Sequence, residues 1–249
     1  MIEFSRKGKH STNYSYSFER KEIPEEFNID ENNIIGIGNF GVVLNGSFKT
    51  QNFSKPIAIK LIPLDIILPD ENYIGIKTDG FGNICETEDF LTEVEIASTT
   101  SKNGITPKVF YSKIVDCKKY ECQPLSSLSL KKPDKIGILI MEQFGISLEK
   151  YILEEYDEFM LIQNDILEKI IQLIDQMNQI PNMHRFNIVS DLHYGNILID
   201  PESKNIKLLD LYYPRHSDSD CLISLEEMIE TFKNKWKDAL QYAESLKKK

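Results

Sequence analysis

Between residues 31 and 142 the apolar positions fall into short runs, each bounded by Gly, Asn, Pro or charged residues. They are Asn33-Ile34-Ile35, Val42-Val43-Leu44, Pro56 to Ile62, Lys108 to Val115 and Lys135 to Met141. Runs of this length, rich in Ile and Val, predict β-strands. From Phe159 the period changes. Phe159, Ile162, Ile166, Ile170, Leu173, Met177 and Ile180 recur every three or four positions and predict an amphipathic core helix of about six turns, closed by Pro181. A shorter helix is expected over Asp89–Ser98 with Phe90, Leu91, Val94 and Ala97 on one face, and another begins near Ser147. The strand runs Ile197–Ile199 and Ile206–Leu209 follow the polar stretch Ser190–Asn196. A last helix places Leu225, Met228, Ile229, Phe232, Trp236 and Leu240 on its buried face, opened by a Ser224/Glu227 capping box. Residues 63–89 exceed a simple connection and read as an inserted β-hairpin with an Asp79-Gly80 turn. Residues 1–30, polar and rich in Ser and Tyr, read as a flexible or loosely docked extension. The fold class is therefore α+β, strand-rich over 31–142 and helix-rich over 143–249.

At 249 residues the chain is long enough for one large domain or two small lobes. Hydrophobic content of 41% and charged content of 27% are those of a soluble globular protein. A net charge of -10 argues against a general polyanion binder, so no nucleic-acid partner is expected. Cys85, Cys117, Cys122 and Cys221 lack the paired spacing of zinc sites and read as reduced thiols. No apolar run approaches the roughly 18–20 residues that span a bilayer. The first ten residues lack the apolar core of a signal peptide. An intracellular protein with no membrane partner is expected.

Candidate chemistry begins at Gly36-Ile37-Gly38-Asn39-Phe40-Gly41, followed by Val42-Val43. Glycines at this spacing let backbone amides approach and cradle phosphate oxygens. The same G-x-G-x-x-G opens a helix in dinucleotide-binding units, whereas here strand-like runs lie on both sides. Lys60 lies nineteen positions after Gly41 in an apolar strand, where a buried amine needs anionic partners. Further on, Asp191 and Asn196 stand five positions apart, and the run Ile206-Lys207-Leu208-Leu209 ends in Asp210. A carboxylate facing an acceptor hydroxyl, with an amide oxygen and a second carboxylate holding Mg2+, is a set that serves phosphoryl transfer.

These motifs, in this order, resemble those of the protein-kinase-like superfamily. The resemblance implies a two-lobed kinase-like fold, an N-lobe over 31–142 and a truncated helical C-lobe over 143–249, using ATP and Mg2+. Ala58 and Lys60 match Ala-x-Lys, with Ala58 against the adenine and Lys60 on the phosphates. Glu93, in Thr-Glu-Val-Glu-Ile, matches the helix carboxylate that pairs with the lysine, with Glu95 as the alternative. Met141-Glu142-x-x-Gly145-x-x-Leu148 is similar to the hinge of casein-kinase-like and vaccinia-related kinases, which makes Met141 the gatekeeper and Glu142 to Phe144 the hinge. The nucleotide set so implied is Gly36, Ile37, Gly38, Asn39, Phe40, Gly41, Val43, Ala58, Lys60, Glu93, Met141, Glu142 and Phe144. Asp191 and Lys60 would be catalytic, and Asn196 and Asp210 would hold the metal.

Several positions depart from the protein-kinase pattern. Val189-Ser190 replaces the usual His-Arg before the catalytic Asp, and Leu211-Tyr212 replaces Phe-Gly after Asp210. His193 stands where a lysine is usual. Asp-Leu-His-Tyr-Gly-Asn resembles the loop of aminoglycoside and choline phosphotransferases, so His193 either contacts the transferred phosphate or faces solvent. Only 39 residues follow Asp210, without Ala-Pro-Glu, an economy similar to minimal atypical kinases. The implied function is a Ser/Thr protein kinase acting on a protein substrate, with room for a partner that completes the short C-lobe. The alternatives are a small-molecule kinase and an ATP-binding pseudokinase.

Overall fold

The computed structural model describes residues 1–7, 13–37, 41–64, 85–123, 133–181 and 192–211, with 229, 230, 232–234, 236, 237 and 244 of the C-terminal segment. They form a mixed α+β structure with antiparallel sheets. The chain divides into two compact units, Met1–Val94 with Val109–Gln143, and Glu95–Lys108 with Phe144–Lys249.

The first unit holds two sheets. Strands β1 (Ile2–Lys7) and β2 (Asn13–Phe18) pair with β7 (Lys119–Gln123). The larger sheet has the order β3-β4-β5-β8-β6, from β3 (Phe27–Ile37), β4 (Val42–Lys49), β5 (Ser54–Leu64), β6 (Val109–Asp116) and β8 (Lys135–Glu142). Every neighbouring pair in it is antiparallel. Both faces of its central strands are buried, which explains why β5 and β8 read as continuous apolar runs instead of alternating ones. On one face Ile57, Ile59 and Leu61 join Leu44, Ile136, Ile138 and Ile140, and Ile2, Phe4, Tyr16 and Phe18 complete that core. On the other, Ile62, Leu64, Leu139 and Met141 pack with Phe90, from the first half of α1 (Thr87–Lys102).

Three expectations need correction here. Residues 1–30 are no loose extension, because β1 and β2 bury alternate side chains in the main core of this unit. Their intervening polar residues hide that pattern, and Tyr16, counted as polar, is 4% exposed with its ring 5.2 Å from that of Phe4. The stretch between the expected strands Lys108–Val115 and Lys135–Met141, where the polar, Ser- and Lys-rich sequence predicts a loop, contains β7, which is held by pairing with β2. Leu91, expected on the buried face of the helix with Phe90, is 52% exposed, whereas Phe90 is buried as expected and Ile96 turns inward as well.

In the second unit α2 (Leu148–Glu154) and α3 (Tyr156–Asn178) pack with a small antiparallel sheet, order β11-β10-β9, from β9 (Ile146–Ser147), β10 (Ile197–Ile199) and β11 (Ile206–Leu208). The Ser147 hydroxyl accepts from the Lys150 amide at 3.2 Å and caps α2. The stripe of α3 buries Phe159, Ile166, Ile170, Ile174 and Met177, with Ile174 taking the fully buried place expected of Leu173. That core also takes in Ile96, Ile105, Phe232 and Trp236. Gly145 has φ +47, and a Cβ there would run into the Ile199 carbonyl, so the turn into β9 requires glycine. No helix among the described residues is long and apolar enough to cross a membrane. The hairpin expected within 63–89 and the Ser224/Glu227 capping box lie outside the described residues.

Candidate functional site

In the first unit, strand pairing gathers several of the nominated residues on one sheet face. Val43 on β4 and Leu139 on β8 flank Lys60 on β5, and Met141 is the cross-strand partner of Ala58. Ile57, Ile59 and Leu61 project to the other face, so Ala58 and Lys60 share theirs with Val43, Leu139 and Met141. Lys60 is 9% exposed there. Its Nζ donates to Glu93 Oε1 at 2.5 Å, with side-chain exposures of 11% and 14%. Glu93 thus meets the lysine, whereas Glu95 is exposed on α1.

The glycine motif lies where β3 turns back into β4, with Gly36 opposite Val43 and Ile37 opposite Val42. Hairpin geometry distinguishes it from the helix-opening glycine motif of dinucleotide sites. Gly38, Asn39 and Phe40 lie outside the described residues. Gly41 has a packing reason of its own, because a Cβ would collide with the Leu61 carbonyl of β5. Ile37 is 58% exposed. Glu142 ends β8 opposite Ile57, and both it and Phe144 are half-buried.

In the second unit, Asn196 closes a 3-10 turn, Tyr194–Asn196, and is 8% exposed. The Asn196 amide donates to the His193 carbonyl at 2.9 Å, and its own carbonyl accepts from the Leu209 amide at 2.7 Å. That last bond sets Asn196 beside the end of β11, one residue before Asp210. The Leu208 amide in turn donates to the Ile105 carbonyl at 2.9 Å. Asp210 is exposed and has φ +46, a left-handed conformation that costs a non-glycine residue about 1 kcal/mol or more. Such outliers concentrate at functional sites. His193 is exposed, and its Nδ1 accepts from the Gly195 amide at 3.0 Å. Asp191 lies outside the described residues.

Two features escaped the sequence reading. Leu198 pairs with Lys207 and Ser147, on the sheet face opposite the buried Ile197 and Ile199. The Lys207 Nζ lies 4.6 Å from the Phe144 ring centroid. Ile-Leu-Ile looked like a continuous apolar run, and nothing in it marks the middle residue as half-exposed. The β10–β11 turn is also anchored at Lys204, whose φ is +56. Its ammonium meets Glu158 at 2.8 Å and the Tyr151 hydroxyl at 2.9 Å. Hydrogen bonds donated to Glu158 and then to Tyr151 raise the Lys204 pKa, the Lys204 contact lowers that of Glu158, and burial pushes the Tyr151 phenol up. No local spacing signals this anchor, since its partners come from α2 and α3.

Asn196 and Asp210 offer an amide oxygen and a carboxylate, hard donors of the type that hold Mg2+ together with phosphate oxygens and water. Among the described residues no group of three or more His, Cys, Asp or Glu side chains is placed to hold a metal ion. Comparison with protein-family models and with curated protein sequences finds no match to this chain.

Proposed function

We propose that the protein is an ATP- and Mg2+-dependent phosphotransferase with a kinase-like fold, reduced in its helical part, and that it phosphorylates Ser or Thr hydroxyls of a protein substrate. The observation that carries this reading is the buried Lys60–Glu93 pair, on the same sheet face as Val43, Ala58 and Met141. A buried ion pair contributes little net stability relative to apolar residues of similar size. Its presence in an otherwise apolar sheet therefore asks for another purpose, and an ammonium held ready for phosphate oxygens supplies one. Val43, Ala58 and Met141 provide the apolar surface that an adenine ring needs.

In this reading Lys60 binds the phosphates, Glu93 fixes the lysine, and Asn196 and Asp210 hold Mg2+. Asp191 orients the acceptor hydroxyl and accepts its proton as attack proceeds. MgATP, when bound, supplies the phosphoryl group and a cation that screens its charge. The left-handed backbone of Asp210 supports its assignment, because strain of that kind is retained where a side chain must be aimed.

A small-molecule acceptor is the second reading. It is favoured by His193, whose contact with the Gly195 amide gives the Leu-His-Tyr-Gly-Asn segment a turn built by histidine where a protein kinase has lysine.

Nucleotide binding is tested by thermal shift. ATP with Mg2+ is expected to raise the melting temperature of the whole chain by several degrees, as ligand at about 100 times its dissociation constant stabilises by about 2.7 kcal/mol. ATP without Mg2+ should give a clearly smaller rise. No shift in either condition would count against the proposal.

A further inference from the structure

The turn that carries Asn196 has a histidine at its capping position. His193 precedes the 3-10 turn Tyr194–Asn196 with an extended backbone, φ -139 and ψ 171. Its ring and its main chain hold two consecutive amides. Nδ1 accepts from the Gly195 amide at 3.0 Å, and the carbonyl accepts from the Asn196 amide at 2.9 Å. Asn, Asp and Ser usually fill such a position, because a short side chain brings an acceptor back to the amides that open the turn. Here an imidazole does so, through the nitrogen nearer the backbone.

Gly195 shows how closely the ring is seated. It lacks the positive φ that Gly104 and Gly145 have, so its backbone conformation would accept a side chain. Space forbids one. A Cβ there would stand 2.8 Å from His193 Cε1 and 3.0 Å from His193 Nδ1, whereas the next atom, Glu149 Oε2, lies at an ordinary 3.7 Å. The imidazole is therefore what requires glycine at position 195. Beyond the turn, the Asn196 carbonyl accepts from the Leu209 amide at 2.7 Å, one residue before Asp210. His193 thus seats the turn on one side of Asn196, and the end of β11 fixes it on the other.

We propose that His193 is a positioning residue: its Nδ1 seats the turn and thereby aims Asn196 at the metal, and its ring does not contact the transferred phosphate. The proposal rests on the assignment of Asn196 to Mg2+ made above. A partner behind a metal ligand acts in this way, fixing the ligand's orientation before the cation arrives. The two ring nitrogens make the roles separable. Asn carries Oδ1 at the place of Nδ1 and nothing at that of Nε2, while Gln carries Oε1 at the place of Nε2 and nothing at that of Nδ1.

The full-length parent, H193A, H193N and H193Q are compared in two measurements. Hydrogen exchange of the Gly195 amide, read by NMR, should quicken at least about tenfold in H193A and H193Q and stay close to the parent in H193N. The Mg2+ concentration for half-maximal phosphoryl transfer from ATP should rise about tenfold in H193A and H193Q, the scale on which a site loses metal affinity when a supporting partner is removed. The rate at saturating Mg2+ should fall far less, and H193N should restore most of the loss. Gly195→Ala should raise the Mg2+ requirement in the parent and add nothing in H193A, where no ring is left for its Cβ to meet. Transfer restored by H193Q and not by H193N would put the role on Nε2, at the phosphate, and overturn the proposal. So would an H193A protein whose Mg2+ requirement equals the parent's, or equal exchange at Gly195 in all four proteins. A parent without Mg2+-dependent transfer would overturn the phosphotransferase reading and this proposal with it, an outcome that the parent alone decides.

Discussion

Replacing Lys60 by Met is expected to abolish Mg2+-dependent ATP binding and to destabilise the protein by about 3 kcal/mol. The stability loss follows from burial. Glu93 would lose its 2.5 Å partner while its side chain stays 14% exposed, and breaking a buried pair from one side costs about 3–5 kcal/mol. The low end applies, since neither side chain is fully enclosed. At about 2–4 °C per kcal/mol this lowers the melting temperature by roughly 6–12 °C. The double variant K60M/E93L separates fold from function. It removes both charges of the pair, so most of the lost stability should return, while nucleotide binding should not. Recovery of both would mean that the pair serves packing alone.

Asp210→Gly is expected to act in the opposite sense on stability. Glycine adopts φ +46 without steric cost, so the variant should match or exceed the parent by up to about 1 kcal/mol. Phosphoryl transfer should nevertheless fall at least about 100-fold, the usual scale for removing one electrostatic contact to a transition state. Asp210→Asn keeps the side-chain shape and the strained backbone, so it should lose transfer without gaining stability. Melting curves and initial rates on both variants check this. Unchanged transfer in Asp210→Gly would remove Asp210 from the proposed metal pair.

Physical reasons separate what was legible in the sequence from what was not. Strands β5 and β8 read directly because burial on both faces leaves few polar interruptions, whereas β4 read only over Val42-Val43-Leu44 and runs on through Asn45-Gly46, a pair that looks like a turn, to Lys49. Helix α3 read through its period, and α2 begins where a helix was expected, near Ser147. The contact of Lys60 with Glu93 was also anticipated from their motifs, and the sheet register then added Val43, Ala58 and Met141 to the same face. By contrast, β1 and β2 alternate buried aromatics with Ser and charged residues, a pattern that polarity counting takes for a tail. Helix α1 continues past Ser98 to Lys102 through two β-branched threonines. Thr100 remains fully buried there because its hydroxyl donates to the Ile96 carbonyl at 2.7 Å and pairs with Thr106 Oγ1 at 2.9 Å. Such partners are tertiary and have no local signature. Gly41 teaches the converse lesson: its presence in a phosphate-binding motif also meets a demand for close strand packing, which spacing alone does not separate.

The central claim is that the chain moves the γ-phosphate of ATP, and labelled ATP tests it most directly. Purified protein, with Mg2+ and either generic protein substrates or a panel of hydroxylated small molecules, should transfer label at a rate that Asp191→Asn lowers at least about 100-fold and that chelation of Mg2+ abolishes. Label in protein would assign a protein acceptor, and label in a small molecule the second reading. Transfer indistinguishable between the parent and Asp191→Asn, or none to any acceptor while ATP binds, would contradict the account.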